Sequence, residues 1–226
     1  MRLYDNFKEA FGEVARDIVE MGIKVNPKTY QDKVIEGKTE FETLEVQNYI
    51  YTVINPKLTD LNPIQPWADQ EFEERISCEA VNPGEAWKTR PEVWTEFLNK
   101  DNKFHYTYNE RIRRLDQLDR IIERLNLDSD SRQCFLSIWD AFDIFNLGGS
   151  GRIPCSLGYL FQIRGGALNM TYLMRSCDFF THFTNDAYLA LKLQHYVAMR
   201  LGIPVGQFTH WMASLHMYRK DSGGIF

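Results

Sequence analysis

No run of apolar residues in this 226-residue chain approaches the roughly 20 that a helix needs to cross a bilayer, so membrane-spanning roles are set aside. Cysteine is scarce. Cys78, Cys134, Cys155 and Cys177 form no CxxC pair, and the start at Met1-Arg-Leu-Tyr-Asp5 offers no apolar signal-peptide core. Free thiols in a reducing cytoplasm are the expectation. Positive charge is also short, with 26 Lys and Arg against 31 Asp and Glu and a net charge of -5. That balance excludes a general nucleic-acid coat; an anionic ligand would need a local cluster of basic residues, and the substrate should be small. Repeats and low-complexity segments are absent as well. What is present is an ordinary globular composition, 44% hydrophobic and 25% charged, enough for one substantial core and a single domain spanning residues 1–226.

Apolar periodicity places the elements. Leu3, Phe7, Phe11, Val14 and Ile18 step by three and four, predicting an amphipathic helix over 3–21 that Gly22 ends. Residues 43–54, rich in β-branched and aromatic types and closed by Asn55-Pro56, read as a strand. A helix is expected over 67–78, and a clear surface helix over 111–126, where Ile112, Leu115, Leu118, Ile122 and Leu125 share one face. Strand-like runs follow at 133–139, 157–163 and 168–175, the last two joined by the turn signal Arg164-Gly-Gly166. A largely apolar helix over 186–200 and a final strand near 208–216 complete an α+β arrangement of sheet and helices.

A cysteine attacks as its thiolate, so a reactive one needs a cation or helix terminus nearby. Cys155 is the best placed: it follows Pro154, Arg152 and the loop Gly148-Gly-Ser-Gly151 at the mouth of a strand, whereas Cys134 and Cys177 sit inside strand-like runs. The plain alternative is four inert core thiols. Asp186, just before an apolar helix, is open to the equally plain reading of a helix cap.

Four blocks, Pro154-Cys155, Tyr172-Leu-Met-Arg-Ser-Cys-Asp178, Thr184-Asn-Asp-Ala-Tyr188 and Ser214-Leu-His-Met-Tyr218, together resemble the thymidylate synthase superfamily in order and spacing. The resemblance covers roughly residues 67–218, and Asp186 points within it to the deoxycytidylate hydroxymethylase branch of bacteriophages. It implies a mixed β-sheet packed with helices, a homodimer formed through that sheet, and 5,10-methylenetetrahydrofolate as cofactor. Cys155 takes the place of the nucleophile that adds to carbon 6 of the pyrimidine. Arg175 and Ser176 match a phosphate-binding pair; Arg132, in Asp130-Ser-Arg-Gln133, matches an arginine that reaches into the partner's site; Lys28 is a weaker match to a further phosphate contact. Glu71, with Glu73 as the fallback, and Tyr106 correspond to the proton-transfer groups. His216 and Tyr218 correspond to the pair on the sugar 3′-hydroxyl, Asn185 lies beside the base contact, and Asp178 and Trp94 fall in the folate site. Three departures stand out: Ser156 where histidine is common, Gln133 in place of a second arginine, and Thr107 in place of glycine.

Asp186 occupies the position of an asparagine in thymidylate synthases. An amide, with one donor and one acceptor, suits the edge of uracil; a carboxylate suits cytosine if a proton is shared with the ring nitrogen. The expected reaction is therefore one-carbon transfer to carbon 5 of deoxycytidine monophosphate. Water addition gives a 5-hydroxymethyl product and hydride a 5-methyl one, and the short stretch after Tyr218 favours water. The rivals are a methyltransferase, a cytidylate or deoxyuridylate enzyme, and a silent nucleotide-binding relative.

Overall fold

The computed structural model describes residues 2–30, 33–147 and 152–224. In chain order the regular elements are β1 (Arg2–Tyr4), α1 (Phe7–Met21), β2 (Ile23–Val25), β3 (Thr29–Tyr30), β4 (Lys33–Val34), β5 (Thr43–Val53), α2 (Trp67–Ile76), α3 (Pro91–Trp94), α4 (Tyr108–Arg113), α5 (Gln117–Leu127), β6 (Phe135–Ser137), β7 (Ser156–Arg164), β8 (Ala167–Met174), β9 (Cys177–Asp178), α6 (Thr184–Leu201) and β10 (Val205–Tyr218). Eight of the strands form one mixed sheet in the order β1-β5-β10-β8-β7-β6, with β2 also on β5 and β9 also on β10. The expected α+β class is what the chain adopts.

β10 is the spine of the sheet. It runs antiparallel to β5 from Phe208 opposite Val53 to Tyr218 opposite Thr43, and parallel to β8 on its other edge. Side chains alternate across the pleat. Leu168, Met170, Tyr172 and Met174 of β8 and Phe208, His210 and Met212 of β10 point into the core, where α1 and α6 contribute Phe7, Val14, Ile18, Leu189, Leu193 and Val197. Ile50, Trp211 and Leu173, neighbours across three strands on the other face, are only half-buried.

Local chemistry sets the boundaries. Asn6 caps α1, its Oδ1 accepting from Glu9 N at 3.0 Å, so the helix begins at Phe7 and not at Leu3. Residues 2–4 are instead taken up as a strand parallel to β5, with Arg2 opposite Tyr51. The continuous helix expected over 111–126 is broken in two because Leu115 and Asp116 take positive φ of 60° and 54°, which ends α4 and lets α5 start at Gln117. Of the run 133–139 only Phe135–Ser137 pairs, against β7. The β7–β8 hairpin forms where it was expected, with Gly165 and Gly166 at φ 60° and 76°. α6 is buried on several sides, and Gly202 closes it in the left-handed region, its N–H reaching Ala198 O and Met199 O. The expected loop Gly148-Gly-Ser-Gly151 lies outside the described residues.

Candidate active site

Cys155 is the last residue before β7, and the β7–β8 register slips between Ser156 and Gly158 immediately after it. Gly158 is required there, since a Cβ would collide with Leu136 O and the Phe135 ring. Arg175, the first residue past β8, clamps the loop that carries Cys155. Its N–H donates to Cys155 O at 2.8 Å, Nε to Pro154 O at 2.9 Å and Nη2 to Ile153 O at 3.0 Å, leaving Nη2 3.9 Å from Cys155 Sγ. On balance the Cys155 thiol is held above its ordinary value: burial pushes it up, with Asp186 and Asp178, against the pull of Arg175 and Arg152. Cys134 and Cys177 are buried and Cys78 is exposed. Among the described residues Cys155 is the half-buried thiol that touches a cation.

The cap reading of Asp186 has a different owner. Asp178 caps the turn Phe179–Phe183 that leads into α6, its Oδ1 accepting from Phe180 N at 3.1 Å and Thr181 N at 3.3 Å. Asp186 sits in the first turn of α6, half-buried. Burial pushes its carboxyl up to about 7, against the pull of Arg75 and Arg90 and with the push of Asp178 and Glu71. Near neutral pH it divides between acid and carboxylate. Asn185 next to it is a brace: Oδ1 accepts from Ile64 N at 2.8 Å and Nδ2 donates to Thr181 O at 3.2 Å.

Glu71, Trp94 and Tyr106 come together, with Arg75 and Arg152, around one narrow cleft. Glu71 accepts from Arg75 Nε at 2.8 Å, and the Arg75 guanidinium lies 4.0 Å over the Tyr108 ring. Burial works against the charge of Arg75, and Glu71 and the tyrosines more than offset it. The fallback Glu73 is exposed; Glu74 instead caps backbone, accepting from Glu85 N at 2.6 Å and Ala86 N at 2.8 Å. Tyr106 is buried, its hydroxyl pushed up to about 12. Ser156, standing where a histidine was expected, joins two tyrosines: its Oγ is 2.9 Å from Tyr108 Oη and 2.5 Å from Tyr172 Oη. Trp94 and Arg152 also wall a second cavity of about 360 Å³ with Phe41, Lys38, Thr181, His182 and Lys220.

The remaining expected contacts lie at varied distances from this centre. Ser176 follows Arg175 and is half-buried, and His216 and Tyr218 meet edge to face at 5.1 Å at the C-terminal end of β10. Arg132 is exposed between α5 and β6. Lys28 pairs with Glu36 at 3.1 Å and lines a separate cavity with Lys38 and Phe41, not the cleft around Glu71. Two buried cations were not anticipated, Arg75 and Arg90. The Glu71–Arg75 spacing of four on a helix was the one local signal for either of them. Arg90 is 3% exposed, stacks 5.1 Å over Trp67 and donates to Thr181 O at 3.2 Å.

A model of the family described as thymidylate synthase matches residues 84–224. A protein of Methanothermobacter marburgensis named "Putative thymidylate synthase" is 32% identical over 91% of this chain and 92% of its own length. One of Methanocaldococcus jannaschii with the same name is 29% identical over 85% and 83%. Among solved structures, the thermostable thymidylate synthase A of Bacillus subtilis superposes with a TM-score of 0.73 at 18% identity, covering 94% of this chain and 80% of that one, which supports the fold.

Two outcomes follow from the electrostatics. Replacing Arg175 with Gln removes the cation that favours the thiolate, and a charge at that distance is worth a pKa unit or more, so Cys155 alkylation by iodoacetamide at pH 8 should slow about tenfold. Exposed Cys78 is the internal control, and an unchanged Cys155 rate on peptide mapping of the folded variant would refute the clamp's electrostatic role. The Asp186 carboxyl binds its proton more tightly in the folded chain, at about 7 against an ordinary 3.8, so its stabilising contribution is full below pH 4 and is lost as pH rises through 7. Asp186→Asn has no proton to lose and should melt above the parent at pH 8, by a margin that narrows toward pH 4; parallel melting curves would contradict this.

Proposed function

The chain belongs to the thymidylate synthase family, and on that premise we propose that it hydroxymethylates carbon 5 of deoxycytidine monophosphate with 5,10-methylenetetrahydrofolate as donor. One-carbon transfer of the thymidylate synthase kind is what the family model and the relatives support. The observation that carries the finer reading is Asp186, a half-buried carboxyl poised near 7 and facing the nucleophile's electrostatic field. An asparagine there could not share a proton with the ring nitrogen of cytosine; a carboxyl that is acid and base in comparable measure can.

In this reading Cys155 Sγ forms a bond to carbon 6 while Asp186 shares its proton with the ring nitrogen, which draws electron density from carbon 6 and leaves carbon 5 nucleophilic. The folate, when bound, would supply the methylene carbon to carbon 5 and leave as tetrahydrofolate, taking the electron pair of the broken carbon–nitrogen bond. Its fit rests on the 360 Å³ cavity: Trp94 and Phe41 offer flat walls, the Trp94 Nε1 is buried with no partner among the described residues, and Lys38 and Lys220 suit an acidic tail. Asp178 keeps a second carboxylate oxygen beyond the one that caps the turn. Glu71, held by Arg75 in the adjoining cleft, would orient water and move the carbon 5 proton. Water adds to the exocyclic methylene on the base, and loss of Cys155 from carbon 6 restores the ring. Arg175, with Ser176 beside it, would hold the phosphate, to which the partner's Arg132 is added in a homodimer. The half-buried row Ile50, Trp211 and Leu173 is the apolar sheet face that such a dimer would cover.

Mass spectrometry of deoxycytidylate after incubation with protein and methylenetetrahydrofolate should show a gain of about 30 mass units, against about 14 for methylation, by the composition of the transferred group. Asp186→Asn should turn the preference toward deoxyuridylate. Modification of deoxyuridylate alone by the parent protein would overturn the assignment. For the shared site, Arg132→Ala is expected to raise the KM for nucleotide about tenfold without lowering the melting temperature, the worth of one charge-assisted hydrogen bond. Mixing it with inactive Cys155→Ser protomers should restore activity by pairing an intact cysteine with an intact arginine; no recovery in exchanged dimers would count against a site built from two chains.

A further inference from the structure

His216 does not stand alone on β10. Its partner in the β5–β10 register is Glu45, and Ser214, two residues earlier on the same face, bridges them. Ser214 Oγ donates to Glu45 Oε2 at 2.6 Å and lies 3.3 Å from His216 Nδ1. A serine hydroxyl has one proton and a carboxylate oxygen offers only lone pairs, so the serine proton is committed to Glu45. Ser214 Oγ can then meet Nδ1 only as an acceptor, and Nδ1 has to carry the hydrogen. The hydrogen bond at one ring nitrogen decides the state of the other. Nε2 is left with a lone pair and has no partner among the described residues.

The surroundings keep the ring neutral. His216 is 7% exposed, and burial pulls its pKa down, against the push of Asp178 and Glu45 and with the pull of Arg175. Asp178 faces it from β9, directly opposite in register, and Tyr218 meets it edge to face at 5.1 Å. His182, on the turn before α6, is another neighbour; burial brings it down to about 4, so it too is uncharged at neutral pH.

We propose that Glu45 and Ser214 are positioning residues that fix His216 as the Nδ1–H tautomer, so that the site reads a sugar hydroxyl as a hydrogen-bond donor and rejects nucleotides whose oxygen there is esterified or replaced. The inference rests on the assignment of His216 to the sugar 3′-hydroxyl made above. It adds a selection rule: the ligand must be a nucleotide with a free hydroxyl at that carbon, and Glu45, which touches no substrate, enforces it through Ser214.

Glu45→Gln tests this, because a glutamine amide can donate to Ser214 Oγ, release the serine proton toward Nδ1 and move the imidazole hydrogen to Nε2. In nucleotide-free protein, ¹⁵N spectra of the five histidines, assigned by single substitutions, should show His216 as Nδ1–H in the parent and shifted to Nε2–H in the variant. In assays the KM for deoxycytidylate should rise about tenfold with kcat within about threefold, as loss of one neutral hydrogen bond implies. A 3′-fluoro analogue, which accepts and cannot donate, should bind the variant better than the parent. Ser214→Ala, which removes the bridge and leaves Glu45, should give the same rise in KM and serves if the first variant is unstable. An Nε2–H tautomer in the parent, or an unaltered tautomer in Glu45→Gln, overturns the proposal. Failure of every nucleotide to react while the tautomer behaves as described would strike the substrate assignment instead.

Discussion

One guanidinium ties the site to the sheet. Arg175 sits at the end of β8, and its Nε and Nη2 hold the carbonyls of Pro154 and Ile153 while its backbone joins Cys155 and Ser214. Three strand ends are thereby fixed around one cation: the entry to β7, the exit from β8 and the stretch of β10 that leads to His216. Arginine suits this because its planar fork can satisfy several acceptors at once and stay charged when buried. A lysine could neutralise the thiolate, but its single ammonium would leave the loop carbonyls unpaired. The chemistry at Sγ and the alignment of the strands are consequences of the same contacts.

Around that cation the chain concentrates what its composition lacks. The whole molecule is acidic at -5, yet Arg75, Arg90, Arg152 and Arg175 gather where Cys155, Asp178, Glu71 and Asp186 meet. Several of these arginines stack on aromatic rings as well as facing carboxylates: Arg75 on Tyr108, Arg90 on Trp67, Arg152 on Phe97 at 4.1 Å. Stacking lets a guanidinium sit in a low-dielectric wall without demanding a carboxylate for each N–H. Arg90 is the extreme case, with Nε and Nη1 lacking hydrogen-bond partners among the described residues. A local positive field is what an acidic protein needs to hold an anionic substrate.

What the sequence disclosed and what it hid divide along physical lines. The alternation of Leu168 to Met174 and the Gly165-Gly166 turn gave the hairpin, and the uniformly apolar stretch of α6 gave a buried helix, since both are local patterns. Cys155, Arg175 and Asp186 were legible because their blocks keep a fixed order. β1 was not, because a three-residue strand is chosen by its parallel partner β5 and not by its own residues. The break at Leu115 and Asp116 was hidden as well, since neither residue advertises positive φ. Glu45 and Ser214 are 169 positions apart, and their contact exists only in the register of two paired strands. Arg75 and Arg90 read as ordinary surface cations until the fold closes over them.

The remaining question of specificity comes down to where a proton rests. In Asp186 two arginines favour the carboxylate, while burial, Asp178 and Glu71 favour the acid, and the balance falls near 7. Without Asp178 and Glu71 the balance would move toward the carboxylate, able to accept from the amino group of cytosine but facing the bare ring nitrogen with a lone pair, although burial, the largest push, would remain. Without the arginines it would move further toward the acid, able to donate to the ring nitrogen but slower to release the proton when the ring is restored. A reaction that must first activate carbon 6 and later expel Cys155 needs the proton to travel both ways, and a group poised near the working pH can serve both steps. The four charges around Asp186 are therefore as much a part of the proposed base recognition as the carboxyl itself, and an isolated Asn-to-Asp change in a site without them would not carry the same chemistry.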